Sequence, residues 1–163
     1  MNLNEKNLNG MALSIESHQW IHKNIKKEST IIELGAGYGT KELAKFYNVY
    51  AVEDDKRFIG LSAEVKYIHA PLKNDWFDIE AVKAGLPEKY DLLIIDGPGG
   101  NKSNRNLIFD FYDEIFLQNI PILIDDTHCL KYLNPLSEWA QKNSRSLETI
   151  KGFEKSFSIS FPS

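Results

Sequence analysis

In the segment IIELGAGYGT, residues 31–40, an acid at Glu33 precedes three glycines spaced two apart, Gly35, Gly37 and Gly39. Glycine has no Cβ, so such a run lets the chain turn tightly and lets a ligand come against the peptide groups themselves. A carboxylate just ahead of that cradle repels a pyrophosphate and favours a cation such as an aminium or a sulfonium. About twenty residues on, VYAVEDD at 49–55 carries Glu53 to the position where an acid hydrogen-bonds ribose hydroxyls at this kind of turn. Farther along, DLLIIDGPGG at 91–100 ends an apolar run on Asp96, and ILIDDTH at 122–128 ends another on Asp125 and Asp126. Three carboxylates brought together repel one another unless a cation or protons intervene. They are candidates to hold Mg²⁺ or a similar ion, to serve as bases, or merely to cap helices and tether loops. His69 and His128 are the histidines nearest these acids along the chain, and either could be a general base.

These residues need elements to position them. Short, nearly continuous apolar runs at 30–34, 49–53, 65–69, 90–96 and 120–125 read as buried parallel strands. Helical spacing recurs at 40–47, 79–84 and 106–117, and a further helix is expected to start at Pro135 with Asn134 as its cap. The segment SIESHQWIHKNIKK reads as a helix ahead of the first strand, capped by Ser14. Near the end, SLETI and SFSISF alternate around KGFE in the manner of a half-buried hairpin. The expected fold is therefore α/β: a Rossmann-like, mostly parallel seven-stranded sheet with a C-terminal antiparallel hairpin and helices on both faces. One domain is expected over 1–163, an amino-terminal helical segment at 1–28 followed by the Rossmann-like core at 29–163. Strand carboxyl ends converge on one crevice in such sheets, which brings Asp96, Asp125 and Asp126 together there.

Composition narrows the classes of function. A chain of 163 residues with 42% hydrophobic residues suffices for one sizeable core. The net charge of −4 is spread over both signs without a basic stripe, which argues against a nucleic-acid partner. No apolar run approaches the roughly 20 residues of a membrane span. The polar start MNLNEKNLNG lacks the pattern of a signal peptide, so a cytoplasmic location is expected. A single cysteine, Cys129, precludes an internal disulfide. A nicotinamide dinucleotide calls for G-x-G-x-x-G, and Thr40 stands where the third of those glycines belongs.

On these residues the sequence resembles the class I S-adenosylmethionine-dependent methyltransferases. ELGAGYG is similar to their E/D-x-G-x-G-x-G motif, Glu53 to their ribose acid and the terminal hairpin to their antiparallel last strand. YIHAPL, WFD, DLLIIDGPGG with Arg105, ILIDDTH and Trp139 resemble a compact bacterial subgroup with a D-G-P-x-G loop and a D-D pair. In that subgroup a basic residue often follows the pair closely, where this chain has His128 and Cys129. The resemblance implies S-adenosyl-L-methionine held by Glu33, Gly35, Gly37, Gly39, Glu53, His69, Ala70 and Asp96. It implies catalysis at Asp96, Asp126 and His128. Metal-dependent catechol-type O-methyltransferases place acids similarly, which implies a divalent ion on Asp96, Asp125 and Asp126.

The acceptor is expected to be a small hydroxylated molecule, a saccharide or sugar precursor, methylated on oxygen. That expectation rests on GPGGNKSNRN at 97–106, which can wrap a polar ligand or serve as a flexible connector, with Asn104 and Arg105 as substrate contacts. Trp76 and Phe77 could stack near adenine or pack in the core. Two other readings stay open: a methyltransferase-like binding protein without turnover, and a nucleotide-dependent Rossmann oxidoreductase.

Overall fold

The computed structural model describes residues 13–101 and 103–163; residues 1–12 of the expected helical segment, and Lys102, lie outside them. The first strand shows how the architecture arises. In β1, Thr30–Leu34, Ile31 faces one side of the sheet and Ile32 and Leu34 the other, and all three are fully buried. A strand buried on both faces must be apolar at nearly every position, which is why alternation is missing from its sequence. β2, Asn48–Glu53, β6, Leu92–Ile95, and β7, Ile122–Ile124, are likewise mostly apolar and buried, and with the more polar edge strand β3, Lys66–His69, where only Ile68 is buried, they pair in parallel around β1. β8, Ser146–Lys151, and β9, Ser156–Phe161, close the sheet antiparallel, giving the order β3-β2-β1-β6-β7-β9-β8. The seven-stranded, mostly parallel sheet with a terminal hairpin is the one expected.

Helices cover both faces. α1, Ile15–Asn24, and α2, Tyr38–Ala44, pack Ile21 and Leu43 against Ile31, Val49, Ala51 and Ile94. α3, Ile79–Gly85, α4, Ile108–Ile115, and α5, Leu130–Lys142, bury Val82, Ile108, Tyr112, Leu136 and Trp139 against Ile32, Val52, Leu93 and Ile124. Each fully buried aliphatic side chain of this kind contributes about 1.5–3 kcal/mol relative to exposure. The Ser14 hydroxyl accepts from the Ser17 N–H and starts α1 as the sequence predicts.

Other boundaries differ from expectation. The helix placed at Pro135 begins five residues earlier, at Leu130, with Cys129 as its cap residue, and the proline lies inside it. Proline removes the N–H that would reach the Lys131 carbonyl, and the Asn106 side chain donates to that carbonyl at 2.9 Å instead. A neighbouring segment thus satisfies the acceptor that the proline frees. The expected helix 106–117 splits into a 3-10 turn, Arg105–Leu107, and α4. A small hairpin, β4, Leu72–Lys73, and β5, Trp76–Phe77, was not anticipated. Its turn residues Asn74 and Asp75 both have positive φ, 53° and 66°, as a two-residue hairpin turn demands. Trp76 and Phe77 are core residues, each 1% exposed.

Asn106→Ala is expected to leave the Lys131 carbonyl without its donor and to destabilise by about 0.5–1 kcal/mol. The readout is a lower urea midpoint with an unchanged slope.

Candidate active site

The sheet order reverses between β1 and β6, and the loops leaving these strands part there to open a crevice at their carboxyl ends. Strand register sets the loops. The Gly35 N–H donates to the Val52 carbonyl at 2.9 Å, and the Asp96 N–H donates to the Leu34 carbonyl at 3.0 Å. Gly35, at φ 93°, then passes so near Gly97 that a Cβ on Gly35 would meet the Gly97 nitrogen at 2.9 Å. A Cβ on Gly97 would meet the Gly35 Cα at 2.8 Å. Neither position tolerates a side chain. Gly37 is the opposite case, because a Cβ there would meet nothing within 4 Å among the described residues. Its missing side chain leaves room in a cavity of about 490 Å³ whose lining includes Glu33, Gly37, Gly39, Glu53, Asp96 and Gly97. Thr40, expected to disfavour a dinucleotide, is fully buried, and its hydroxyl accepts from the Gly37 N–H at 2.8 Å.

Two acids of the cavity differ sharply. Both carboxylate oxygens of Glu53 are engaged, one by the Ala36 N–H and one by the Asp55 N–H, each at 2.7 Å. The acid thus ties the glycine turn to the end of β2. Glu33 is 3% exposed, and its Oε2 has no hydrogen-bond partner among the described residues. Burial pushes its carboxyl up to about 8, against the Thr40 hydroxyl and with the charges of Asp96 and Glu53. A buried carboxyl oxygen without a partner on a cavity wall is a group that a cationic ligand can satisfy.

Beside the cavity, Asp96, Asp125 and Asp126 do converge, with ligand oxygens within 4.8 Å of one another. The Asp125 N–H donates to the Ile95 carbonyl at 3.1 Å, so the sheet ladder itself sets Asp96 and Asp125 side by side. Asp126 is turned into the group by a left-handed backbone, φ 59°. Two cations sit among these acids. Arg105, 7% exposed, lies 3.5 Å from both Asp96 and Asp126, stacks on Tyr132, and donates to the Asp96 carbonyl. Lys155 pairs directly with Asp125 and lies 3.7 Å from Asp126. Burial, then the charge of Asp125, push the Asp96 carboxyl upward, and the two cations oppose them.

Several expected contacts fall elsewhere. Arg105 is turned inward onto protein carboxylates, so it is not free to meet an acid on an acceptor. The Asn104 side chain accepts from the Asn106 N–H at 3.1 Å and caps the 3-10 turn. His128 is exposed on the turn after β7 and does not line the cavity. His69 ends β3 and Ala70 follows it, both outside the cavity lining, the Ala70 N–H donating to the Glu53 carbonyl at 2.9 Å. Of the first-helix histidines, His18 is fully buried and pushed down to about 4 by burial, and the His22 Nδ1 meets the Tyr47 hydroxyl at 2.9 Å. Lys155 and Gly97 carry roles that the sequence reading did not assign. Gly97 had a signal in its D-G-P-x-G setting; Lys155, in a tail turn, had none.

No family model matches the sequence, and no curated protein does. Solved structures do match. An O-methyltransferase from Bacillus cereus, in complex with SAH, superposes with a TM-score of 0.67 at 12% identity, over 98% of this chain and 86% of that one. The precorrin-6y C5,15-methyltransferase of Geobacter metallireducens gives 0.66 at 15% identity, over 94% and 93%. The O-methyltransferase TomG of Streptomyces achromogenes, involved in tomaymycin synthesis and in complex with SAM, gives 0.65 at 13% identity, over 98% and 85%. The fold is that of the class I S-adenosylmethionine-dependent methyltransferases. Among the described residues, no helix of this methyltransferase fold is long and apolar enough to cross a membrane.

Within this methyltransferase fold, Glu33 makes stability depend on pH. Its folded pKa, about 8, lies above the ordinary 4.5, so its contribution is fully present below 4.5 and is lost as pH rises through 8. Glu33→Gln, which cannot ionise, is expected to gain roughly 2–4 kcal/mol on wild type between pH 5 and pH 9 in the ligand-free protein. Urea unfolding of both proteins at the two pH values checks this.

Proposed function

We propose that this protein is an S-adenosylmethionine-dependent methyltransferase that methylates oxygen on a small hydroxylated acceptor. The observation that carries the reading is the glycine-floored cavity with the orphaned Glu33 carboxyl on its wall and Asp96 shared with the carboxylate cluster. The presence of SAM or SAH in two of the matching structures supports the choice of cofactor. Residues of this cavity fit such a molecule: Gly35, Gly37 and Gly39 admit it against the backbone, Glu33 suits its amino group, and Glu53 has lone pairs left for ribose hydroxyls.

Bound S-adenosylmethionine supplies an already activated sulfonium methyl. What remains for the protein is alignment, exclusion of water and removal of the acceptor's proton. Asp96 is the group that touches both the cavity and the cluster, and its carboxylate takes the hydroxyl proton of the acceptor. Burial favours its protonated form, which makes it a stronger base than an exposed aspartate. Arg105 and Lys155 hold the neighbouring carboxylates in place, and Asp126, held between the two, orients the group and does not itself transfer the proton. A saccharide or sugar precursor is supported by the polar segment after Gly97, in which Asn101 is exposed.

Titration calorimetry with S-adenosylhomocysteine and with NAD tests the cofactor assignment. Binding of the first and not the second is expected, and the reverse refutes the reading. Gly37→Val is expected to abolish binding with little change in Tm, because Gly37 lines the cavity and a Cβ there meets no described atom within 4 Å. Gly35→Ala is expected to lower Tm, because its Cβ strikes the Gly97 backbone. Glu53→Ala is expected to weaken S-adenosylhomocysteine by about 10- to 100-fold, the equivalent of one or two charge-assisted hydrogen bonds.

A further inference from the structure

The three carboxylates at the strand ends have the spacing of a divalent-ion site. Ligand oxygens 2.0–2.6 Å from a shared ion lie no more than about 5 Å from one another, and those of Asp96, Asp125 and Asp126 lie within 4.8 Å. Their charge environment does not fit an ion. Arg105 spans Asp96 and Asp126, and Lys155 spans Asp125 and Asp126, so every carboxylate of the group already has a cation. Both cations are tightly enclosed: Arg105 is 7% exposed, and the Lys155 side chain 14%. A divalent ion among these oxygens would face two fixed positive charges at short range in a poorly solvated setting.

Lys155 is placed there by the main chain. β9 runs antiparallel to β7 with Ile124 opposite Ser158, which sets the β8–β9 turn just beyond Asp125. The Thr127 N–H donates to the Ser156 carbonyl at 2.8 Å, and the Gly152 N–H to the Lys155 carbonyl at 2.9 Å. The Phe153 N–H donates to Glu16 of α1 at 3.0 Å. One bond within the turn and two ties from other parts of the chain, Thr127 and Glu16, hold the turn that carries the ammonium.

We propose that Lys155, with Arg105, occupies the place of a divalent ion in this cluster, so that the site is an all-protein charge network and works without a metal. That the reaction runs without a metal rests on the methyltransferase reading; the network itself is a property of the folded chain. Lys155 is then the positioning residue for Asp125 and Asp126. Once its ammonium is removed, the acids it covers become an ion site.

Mn²⁺ binding, followed by electron paramagnetic resonance and calorimetry on the full chain, tests this without any acceptor. Wild type is expected to bind Mn²⁺ no tighter than about 1 mM, the range of weak carboxylate sites. Lys155→Ala is expected to bind it at least about tenfold tighter, a gain cancelled by adding Asp125→Asn. Lys155→Arg, which keeps the charge, is expected to behave as wild type. Micromolar Mn²⁺ binding by wild type that Asp125→Asn weakens overturns the proposal. A folded Lys155→Ala variant that gains no Mn²⁺ affinity overturns it too. If Lys155→Ala does not fold, the wild-type titration alone decides. A parallel titration of S-adenosylhomocysteine in chelator reads the cofactor assignment separately, so the two can fail independently.

Discussion

The close passage of Gly35 and Gly97 is the contact on which the rest of the site depends. Two loops leave adjacent parallel strands at the point where the sheet order reverses, and their backbones touch before they separate. Because both residues lack a Cβ, the strands keep full ladder pairing up to the last residue and the loops still diverge. Asp96 is consequently anchored to the Leu34 carbonyl, and Glu53 reaches across to the Ala36 N–H. Backbone geometry opens the cavity between these points, and side chains such as Glu33, Glu53 and Asp96 line its walls.

The same sheet edge handles buried negative charge in two ways. At Glu33 the carboxyl has no cation among the described residues and burial favours its neutral form, so its charge state is left to a ligand. At the neighbouring cluster, three acids are met by two cations of the chain. The contrast matters for function, since a site that awaits a cation and a site that contains its own are different devices. Asp96 lies on the boundary between them, lining the cavity and joining the cluster.

The antiparallel hairpin supplies what the parallel strands cannot. Parallel strands present their carboxyl ends, and here their acids, at one edge. A strand running the other way brings a turn to that edge, and with it Lys155. The hairpin's position is fixed at its far end as well, where the buried Arg145 donates to the Gln118 and Ile120 carbonyls, each at 2.6 Å, and to Ser160. Arg145 thereby links the entry to β7 with β9, and the register so defined carries through to the turn beside Asp125.

The local pattern of the sequence determined much of this. Continuous apolar runs define strands buried on both faces, glycines spaced two apart define a backbone cradle, and acids that end successive runs meet because parallel strands share an edge. These inferences use periods of two to four residues and one topological rule. Charge pairing was not legible in that way. Arg105 read as a contact for an acceptor, and only the fold shows it turned inward onto Asp96 and Asp126. Lys155 lies thirty residues from Asp125 in an ordinary tail turn, and nothing nearby in sequence marks it. Pro135 read as a helix start because its missing donor normally belongs there, whereas the fold places it inside α5, where Asn106, from another segment, satisfies the carbonyl it frees. In each case the deciding partner is distant in the chain, and the energy of a buried polar group depends on which partner the tertiary structure brings to it.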